Sequence, residues 1–289
     1  MEEIPLGSSY TWSQARAAGV TRRQIAEDGV RLSRGLYISS AVESSLPLRC
    51  AAWARVLPPD AVFGLGTAAA LYGLRGEPSE THVVLTPRRV LPQRAGLVAH
   101  SRALQTEDRV DLGGVPVTSG AQTFLDMAGL LHPADLLVLG DGLMRTGRLR
   151  ADDLIRRLAR ADRVRGVARA REWAPRLTEH AGSPRESLVR YWLLTSDLPE
   201  PEVQVPLWDR RGREVAHADL GYPRWKVALE YEGRQHADIE QFGRDVDRYS
   251  LMAADGWLVL RFAARHGRRA VVERTRRALL SRGWREPRG

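Results

Sequence analysis

Apolar and polar residues alternate in short blocks along this chain, and the block lengths predict many small elements rather than a few long ones. Thr11 opens TWSQARAAG and Thr21 opens TRRQIAEDG. Each threonine stands three residues before a glutamine (Gln14, Gln24), the spacing of a capping box, and each segment closes on a glycine (Gly19, Gly29). Two short helices joined by a tight turn are expected, a helix-turn-helix arrangement. VRLSRGLYI follows, with Val30 and Leu32 on one arm of a hairpin, a turn at Ser33-Arg34-Gly35, and Leu36, Tyr37 and Ile38 on the other. Residues 1–45 therefore read as a winged helix.

Residues 46–150 read as a small mixed α/β domain. A helix is expected near Leu48 to Val56, ending at Pro58-Pro59. AVFGLGTAAALYGLRG, small and apolar, predicts a tightly packed turn and helix. Short strands are expected at His82 to Leu85 and Leu97 to His100, and GGVPVTSGAQTFLDMAGLL leads into another helix. His82 and His100 lack partners at metal-ligand spacing and read as structural or surface residues. Residues 151–181 form a basic helical connector in which Asp152 and Asp153 complement the dipole of the first turn, and His180-Ala181-Gly182 reads as a linker.

Residues 182–289 carry a different rhythm. Ser183-Pro184-Arg185-Glu186 is a helix start, with serine at the cap, proline at the first position and glutamate at the third. VQVPL and VAHADL pair naturally as a hairpin around a turn at Asp209 to Gly212, and VALEYE supplies a third strand. Arg244 to Ala254 reads as a helix, WLVLRF (Trp257 to Phe262) as a buried fourth strand, and Arg269 to Arg282 as a closing helix. The expected class is mixed α/β (α+β), with an N-terminal winged helix-turn-helix, a small mixed middle domain and a C-terminal α-β-β-β-α-β core.

Charge sharpens this picture. The net charge is +9, which suggests an anionic partner, although 43 of the 44 basic residues are arginine and only Lys226 is lysine, a bias that a GC-rich genome would also produce. Arg145 to Arg176 holds eleven arginines against four acids, and Arg261 to Gly289 ten against two. Such runs suit phosphate contacts and are equally the solvated faces of arginine-rich helices. The second helix of the winged helix would present Arg22, Arg23 and Gln24 to base edges and phosphates, with Arg31 and Arg34 on the wing reaching the backbone. The same fold also serves as a protein-interaction module. Cys50, the one cysteine, lies on an amphipathic segment and reads as a core thiol, which leaves no intramolecular disulfide. No apolar run approaches a membrane span, so a soluble, cytoplasmic protein without membrane contact is expected.

The acids of the C-terminal region carry the candidate chemistry. Asp219 ends the second strand, and Glu230 and Glu232 stand two apart on the third, so both project from the same face. Like charges side by side repel, and a divalent cation between them is one reason for a fold to place them so. The plainer alternatives are local: Glu186 closing a capping box with Ser183, Asp219 capping the turn before Gly221, Glu232 exposed at a strand end, His236 on the surface. His217 shares a face with Asp219.

Two resemblances add to this reading. The winged helix ending in RGLYI, the block FGLGTAAALYGL, the strand HVVLTP followed by arginines, and GVPVTSGAQTFLDMA resemble AbiEi-type antitoxins over about residues 9–150. Those are DNA-binding repressors of toxin–antitoxin operons, which implies DNA and a cognate toxin as partners. Gln122 departs from the arginine that such proteins often carry before Thr-(Leu/Phe)-Leu-Asp. SPRESLVRYWLL, the Asp219 strand, ALEYEGRQH, RDVDRYSLMAADGW and LVLRF resemble, over about residues 182–265, endonuclease-like proteins of the PD-(D/E)XK fold related to very-short-patch repair endonucleases. That likeness implies Mg²⁺ (or Mn²⁺) and phosphodiester hydrolysis, and a repair or defence protein as an alternative partner. It matches Asp219 and Glu230 to metal-binding acids, with Glu232 in the slot that many nucleases fill with lysine and this subgroup with aspartate. It matches Glu186 to the acid of the first helix and His236 to a histidine near the scissile phosphate. Gln235 or Arg248 would hold the phosphate, and Arg244 on the same helix would meet DNA. Three functions follow: a metal-dependent DNA endonuclease directed by its winged helix, a repressor or antitoxin whose nuclease-like domain is degenerate, and a toxin-binding module that does not touch DNA. A homodimer is compatible with operator binding, though no coiled-coil heptad is visible.

Overall fold

Local signals shape the first elements. In the computed structural model, which describes residues 7–88, 90–208, 212, 214–232 and 252–286, Thr11 caps α1 (Trp12–Ala17) and Thr21 caps α2 (Arg22–Asp28), each through a complete capping box. The wing is β2 (Gly29–Ser33) paired antiparallel with β3 (Leu36–Ser39). The sequence pattern leaves out one strand: β1 (Ser9–Thr11), just ahead of α1, pairs antiparallel with β3 and completes a sheet of order β1-β3-β2. Tyr10, Ala15, Val20 and Ile25 form the small core beneath it.

The chain divides into two compact units, the first comprising residues 1–130 and 147–174 and the second residues 131–146 and 175–289. In the first unit α3 (Leu46–Ala54) packs on β1 and β3 and also on α4 (Leu65–Leu71), so one helix ties the winged helix to the sheet domain beside it. That domain is a five-stranded sheet of order β6-β5-β4-β8-β7, built from β4 (Val62–Phe63), β5 (Thr81–Leu85), β6 (Leu97–Ser101), β7 (Arg109–Asp111) and β8 (Pro116–Thr118). Every residue of α5 (Gly120–Ala128) is buried, as befits a helix wrapped on all sides. It packs against α4, α7 (Ala151–Ala159) and α8 (Val167–Trp173). The residues expected to form a connector thus cover α5 within the first unit. At Gly166, φ is +84° and an added Cβ would lie 2.3 Å from the backbone nitrogen of Gly129, so only glycine lets this loop pass the end of α5. Cys50 is fully buried, and burial pushes its thiol up to about 12. His82 and His100 stack on neighbouring strands with ring nitrogens 3.1 Å apart.

The second unit begins with a helix absent from the sequence-based expectations, α6 (Pro133–Arg145), packed on α9 (Pro184–Leu194). Asp141 and Arg190 join them by a fully buried ion pair in which Arg190 Nη2 lies 2.8 Å from both carboxylate oxygens. The sheet order is β12-β11-β10-β9, with β9 (Glu202–Trp208), β10 (Glu214–Tyr222) and β11 (Val227–Glu232) antiparallel in sequence and β12 (Leu258–Ala263) parallel to β11. Helix, three-stranded meander and parallel fourth strand follow the expected order, and α10 (Arg268–Ser281) packs on α9 and β12. The fourth strand is less buried than expected: only Phe262 is fully enclosed.

The alternation of this sheet slips at one level. Val203 and Leu220 pack in the cluster under α9 and α10, yet Val205 and Ala218, two residues away on the same strands, pack in a second cluster with Ala228 and Met252. Regular strands keep residues i and i+2 on one face. The slip passes through Gln204, whose φ is +49°, and its neighbour Asp219.

Candidate functional site

The slip positions the first candidate residue. The β10–β11 ladder ends at Leu220↔Leu229. One residue beyond, the carboxylate Oδ2 of Asp219 accepts the N–H of Tyr231 at 2.7 Å, a donor position that a continued ladder would fill with a carbonyl. The half-buried Asp219 carboxylate thereby sits beside the peptide that follows Glu230, which is only 7% exposed at the end of the buried run of β11. Glu186 enters from the first turn of α9. Its N–H donates to Ser183 Oγ (3.2 Å), and its Oε2 accepts the N–H of Gly182 (2.7 Å), one residue earlier than a capping box would reach. Burial, and then the charge of Asp219, raise its carboxyl above the ordinary range, against the opposing pull of these hydrogen bonds and of Arg145. Glu186 and Asp219 therefore feel one another.

Glu232 behaves differently. It forms an ion pair with Arg261 on the parallel strand, and this pair is solvent-exposed. His217 is exposed and lies 3.2 Å from Glu214. Gln235, His236, Arg244 and Arg248 lie outside the described residues. Among the described residues no group of three or more His, Cys, Asp or Glu side chains is arranged to hold a metal ion. The oxygen-only chemistry of Glu186, Asp219 and Glu230 suits a hard divalent cation, and the mutual repulsion of the first two is what such a cation would relieve.

The second candidate surface is on the winged helix. Arg22 lies over the ring of Trp12, 5.7 Å from its centroid, and Arg23 pairs with Glu27 one turn along α2 at 2.7 Å while remaining almost fully exposed. Gln24 is exposed, but its carbonyl oxygen accepts from Thr21 N (2.9 Å) and Thr21 Oγ1 (2.8 Å), so its first role is the cap. Arg31 and Arg34 are exposed on the wing. Two further arginines that local sequence signals do not single out reach this region from the neighbouring domain. Arg94 Nη1 donates to Arg34 O (2.9 Å) and Arg55 Nε to Ser9 Oγ (3.2 Å).

Residues 61–175 match the family model of the AbiEi antitoxin C-terminal domain. Two uncharacterized proteins of Mycobacterium tuberculosis, MT2308 and Rv2248, are each 32% identical over 232 residues, covering 80% of this chain and 84% of theirs. The chain belongs to their family. A crystal structure of RV2827C protein from the same organism aligns with a TM-score of 0.42 at 15% identity, over 71% of this chain and 84% of that one.

The AbiEi antitoxin match starts at the strand β4 and runs through α8, so the winged helix precedes it and the Asp219 site follows it. At its centre lies Gln122, whose buried amide donates to Asp126 Oδ1 (2.7 Å) while its carbonyl accepts from Arg157 Nε (2.6 Å). Arg157 also pairs with Asp108 (3.2 Å), and Arg102 pairs with Asp126. A guanidinium is therefore present beside residue 122, delivered by α7 rather than by α5. Buried polar groups demand such closure, and this chain of bonds locks α5 to α7 and to β6's end.

Proposed function

We propose that this protein is a DNA-binding regulator of the AbiEi antitoxin type, with duplex DNA bound by the winged helix and a cognate toxin as its protein partner. The observation that carries the reading is the placement of a capped helix-turn-helix, with Arg22 and Arg23 displayed at the start of its second helix, directly ahead of an AbiEi antitoxin C-terminal domain. Side chains at that end of a recognition helix meet base edges and phosphates, and the backbone term supplies most of the affinity. The test is fluorescence anisotropy with duplex from the region upstream of its own gene, against a random duplex. Specific binding is expected, weakened by roughly 1–3 kcal/mol when an arginine that reads a base is replaced by alanine (Arg22→Ala or Arg23→Ala). Equal affinity for both duplexes, unaffected by either variant, refutes it.

A second reading has its own observation. The charge interaction of Glu186 with Asp219, beside the strand that carries Glu230, on an α-β-β-β sheet with a parallel fourth strand supports a metal-dependent DNA endonuclease of the PD-(D/E)XK type, related to very-short-patch repair endonucleases. Mg²⁺ or Mn²⁺ would be held by these carboxylates and would polarise the scissile phosphate. Supercoiled plasmid incubated with either ion, with EDTA and Glu230→Ala as controls, decides between the readings. Cleavage that requires both the ion and Glu230 favours the enzyme. Specific duplex binding without cleavage leaves the regulator.

A further inference from the structure

The wing and the domain beside it form a cleft of about 830 Å³ lined by Arg31, Arg34, Arg55 and Arg94, with Trp12 and Tyr37 among its walls and, among the described residues, no aspartate or glutamate. A second cleft of about 560 Å³ shares Arg31, Arg34 and Arg94, so the basic lining continues around the wing turn. Three of the four guanidinium groups donate to neutral oxygens: Arg31 Nε to Ser33 O (3.4 Å), Arg55 Nε to Ser9 Oγ (3.2 Å) and Arg94 Nη1 to Arg34 O (2.9 Å). Four like charges gathered with no carboxylate among the described lining residues repel one another, and a fold that keeps them so presents a site for an anion.

Three observations favour the phosphate backbone of a duplex. First, the cleft is continuous with the recognition helix, because Arg22 rests on Trp12, a wall of the cleft. Second, the aromatic walls are already engaged. Tyr37 stacks on Tyr10 with ring centroids 5.7 Å apart, and Trp12 carries Arg22, which argues against the stacking platforms that hold single strands. Third, the lining spans two clefts around the wing, a spread that matches a polyanion better than one small phosphate.

We propose that Arg55 and Arg94, from the domain adjoining the winged helix, extend the DNA interface by contacting the phosphate backbone next to the duplex segment held by the recognition helix and wing. This rests on the DNA-binding reading above and assigns two residues outside the winged helix to the same interface. Arg94 also braces the wing through the Arg34 carbonyl, so it fixes the wing's angle as well as adding charge.

The test measures duplex affinity of the full-length protein by fluorescence anisotropy across a salt series, for wild type, Arg55→Gln, Arg94→Gln and the double variant, with Arg55→Lys and Arg94→Lys as charge-retaining partners. Each lost phosphate contact lowers the slope of log K against log salt by about 0.9, so between about 50 and 200 mM salt the double variant should lose affinity about twelvefold less steeply than wild type. The lysine variants should keep the wild-type slope, which separates a charge contact from a disturbed wing. Discrimination between specific and random duplex should persist in Arg55→Gln. Wild-type slopes in both glutamine variants overturn the inference while leaving the DNA-binding reading intact. Failure of the wild-type protein to bind any duplex overturns both.

Discussion

Asp141 and Arg190 hold α6 to α9 one turn beyond Glu186, and their removal gives a quantitative test of how the acid site is supported. Both side chains are buried (0% and 5% exposed), the guanidinium contacts both carboxylate oxygens at 2.8 Å, Arg190 also donates to Arg176 O (2.7 Å), and Thr178 N–H donates to Asp141 (3.0 Å). Removing one partner strands a charge in the interior, which costs about 3–5 kcal/mol, whereas replacing both with apolar residues of similar volume is close to neutral. Asp141→Leu should be the worse single change, because an arginine cannot shed its proton. Burial already pushes the Asp141 carboxyl upward against the opposing effect of Arg190, so in Arg190→Leu the acid can take up a proton and soften the loss. Five of the eight tryptophans (Trp192, Trp208, Trp225, Trp257 and Trp284) lie in this unit, so urea unfolding followed by tryptophan fluorescence reports mainly on it. A double-mutant cycle should give a coupling of several kcal/mol, with the double variant more stable than Asp141→Leu. Two single variants each within about 1 kcal/mol of wild type, or a double variant as unstable as their sum, would refute the reasoning.

Two other outcomes follow from local geometry. Gly166→Ala should lower the thermal midpoint far more than Gly147→Ala: both have positive φ, but the added carbon meets the backbone of Gly129 at 2.3 Å in the first and nothing within 4 Å in the second, so the first should exceed about 2 kcal/mol and the second remain near 1. Glu186 has a folded-state carboxyl raised above its ordinary value, so its contribution is complete below the ordinary carboxylate range and is lost as pH rises through the folded value. Glu186→Gln should therefore gain stability relative to wild type between about pH 4 and 7, and a melting-point difference that stays flat across that range counts against a carboxyl raised by burial and then by the charge of Asp219.

What the sequence made legible was local. The paired Thr-x-x-Gln caps, the wing turn at Ser33-Arg34-Gly35 and the Ser183-Pro184 helix start each involve residues a few positions apart, and each forms as expected. The helix–strand order of the C-terminal region was legible for the same reason, since alternation and turn residues mark each strand. Pairings across distance were not. β1 joins the wing through three residues that carry no strand signal of their own, and β4 is two residues long, too short for any period to register. Gln122 looked like a missing charge until α7 brought Arg157 to it from 35 positions away. At the acid site, alternation correctly put Glu230 and Glu232 on one strand, but it gave no sign that Arg261 would neutralise the second or that Asp219 would reach sideways to Tyr231.

That sideways reach makes Asp219 a strut as well as a charge. Where the β10–β11 ladder stops, a side chain performs a task normally given to the main chain, and the same group carries the charge that Glu186 feels. Shape and charge are thus joined at one residue. Alanine at this position removes both together, so any silence it produces is ambiguous between a collapsed sheet and a lost acid. Asparagine keeps an oxygen for the Tyr231 N–H and surrenders only the charge, and the gap between the two replacements measures how much of this site is architecture.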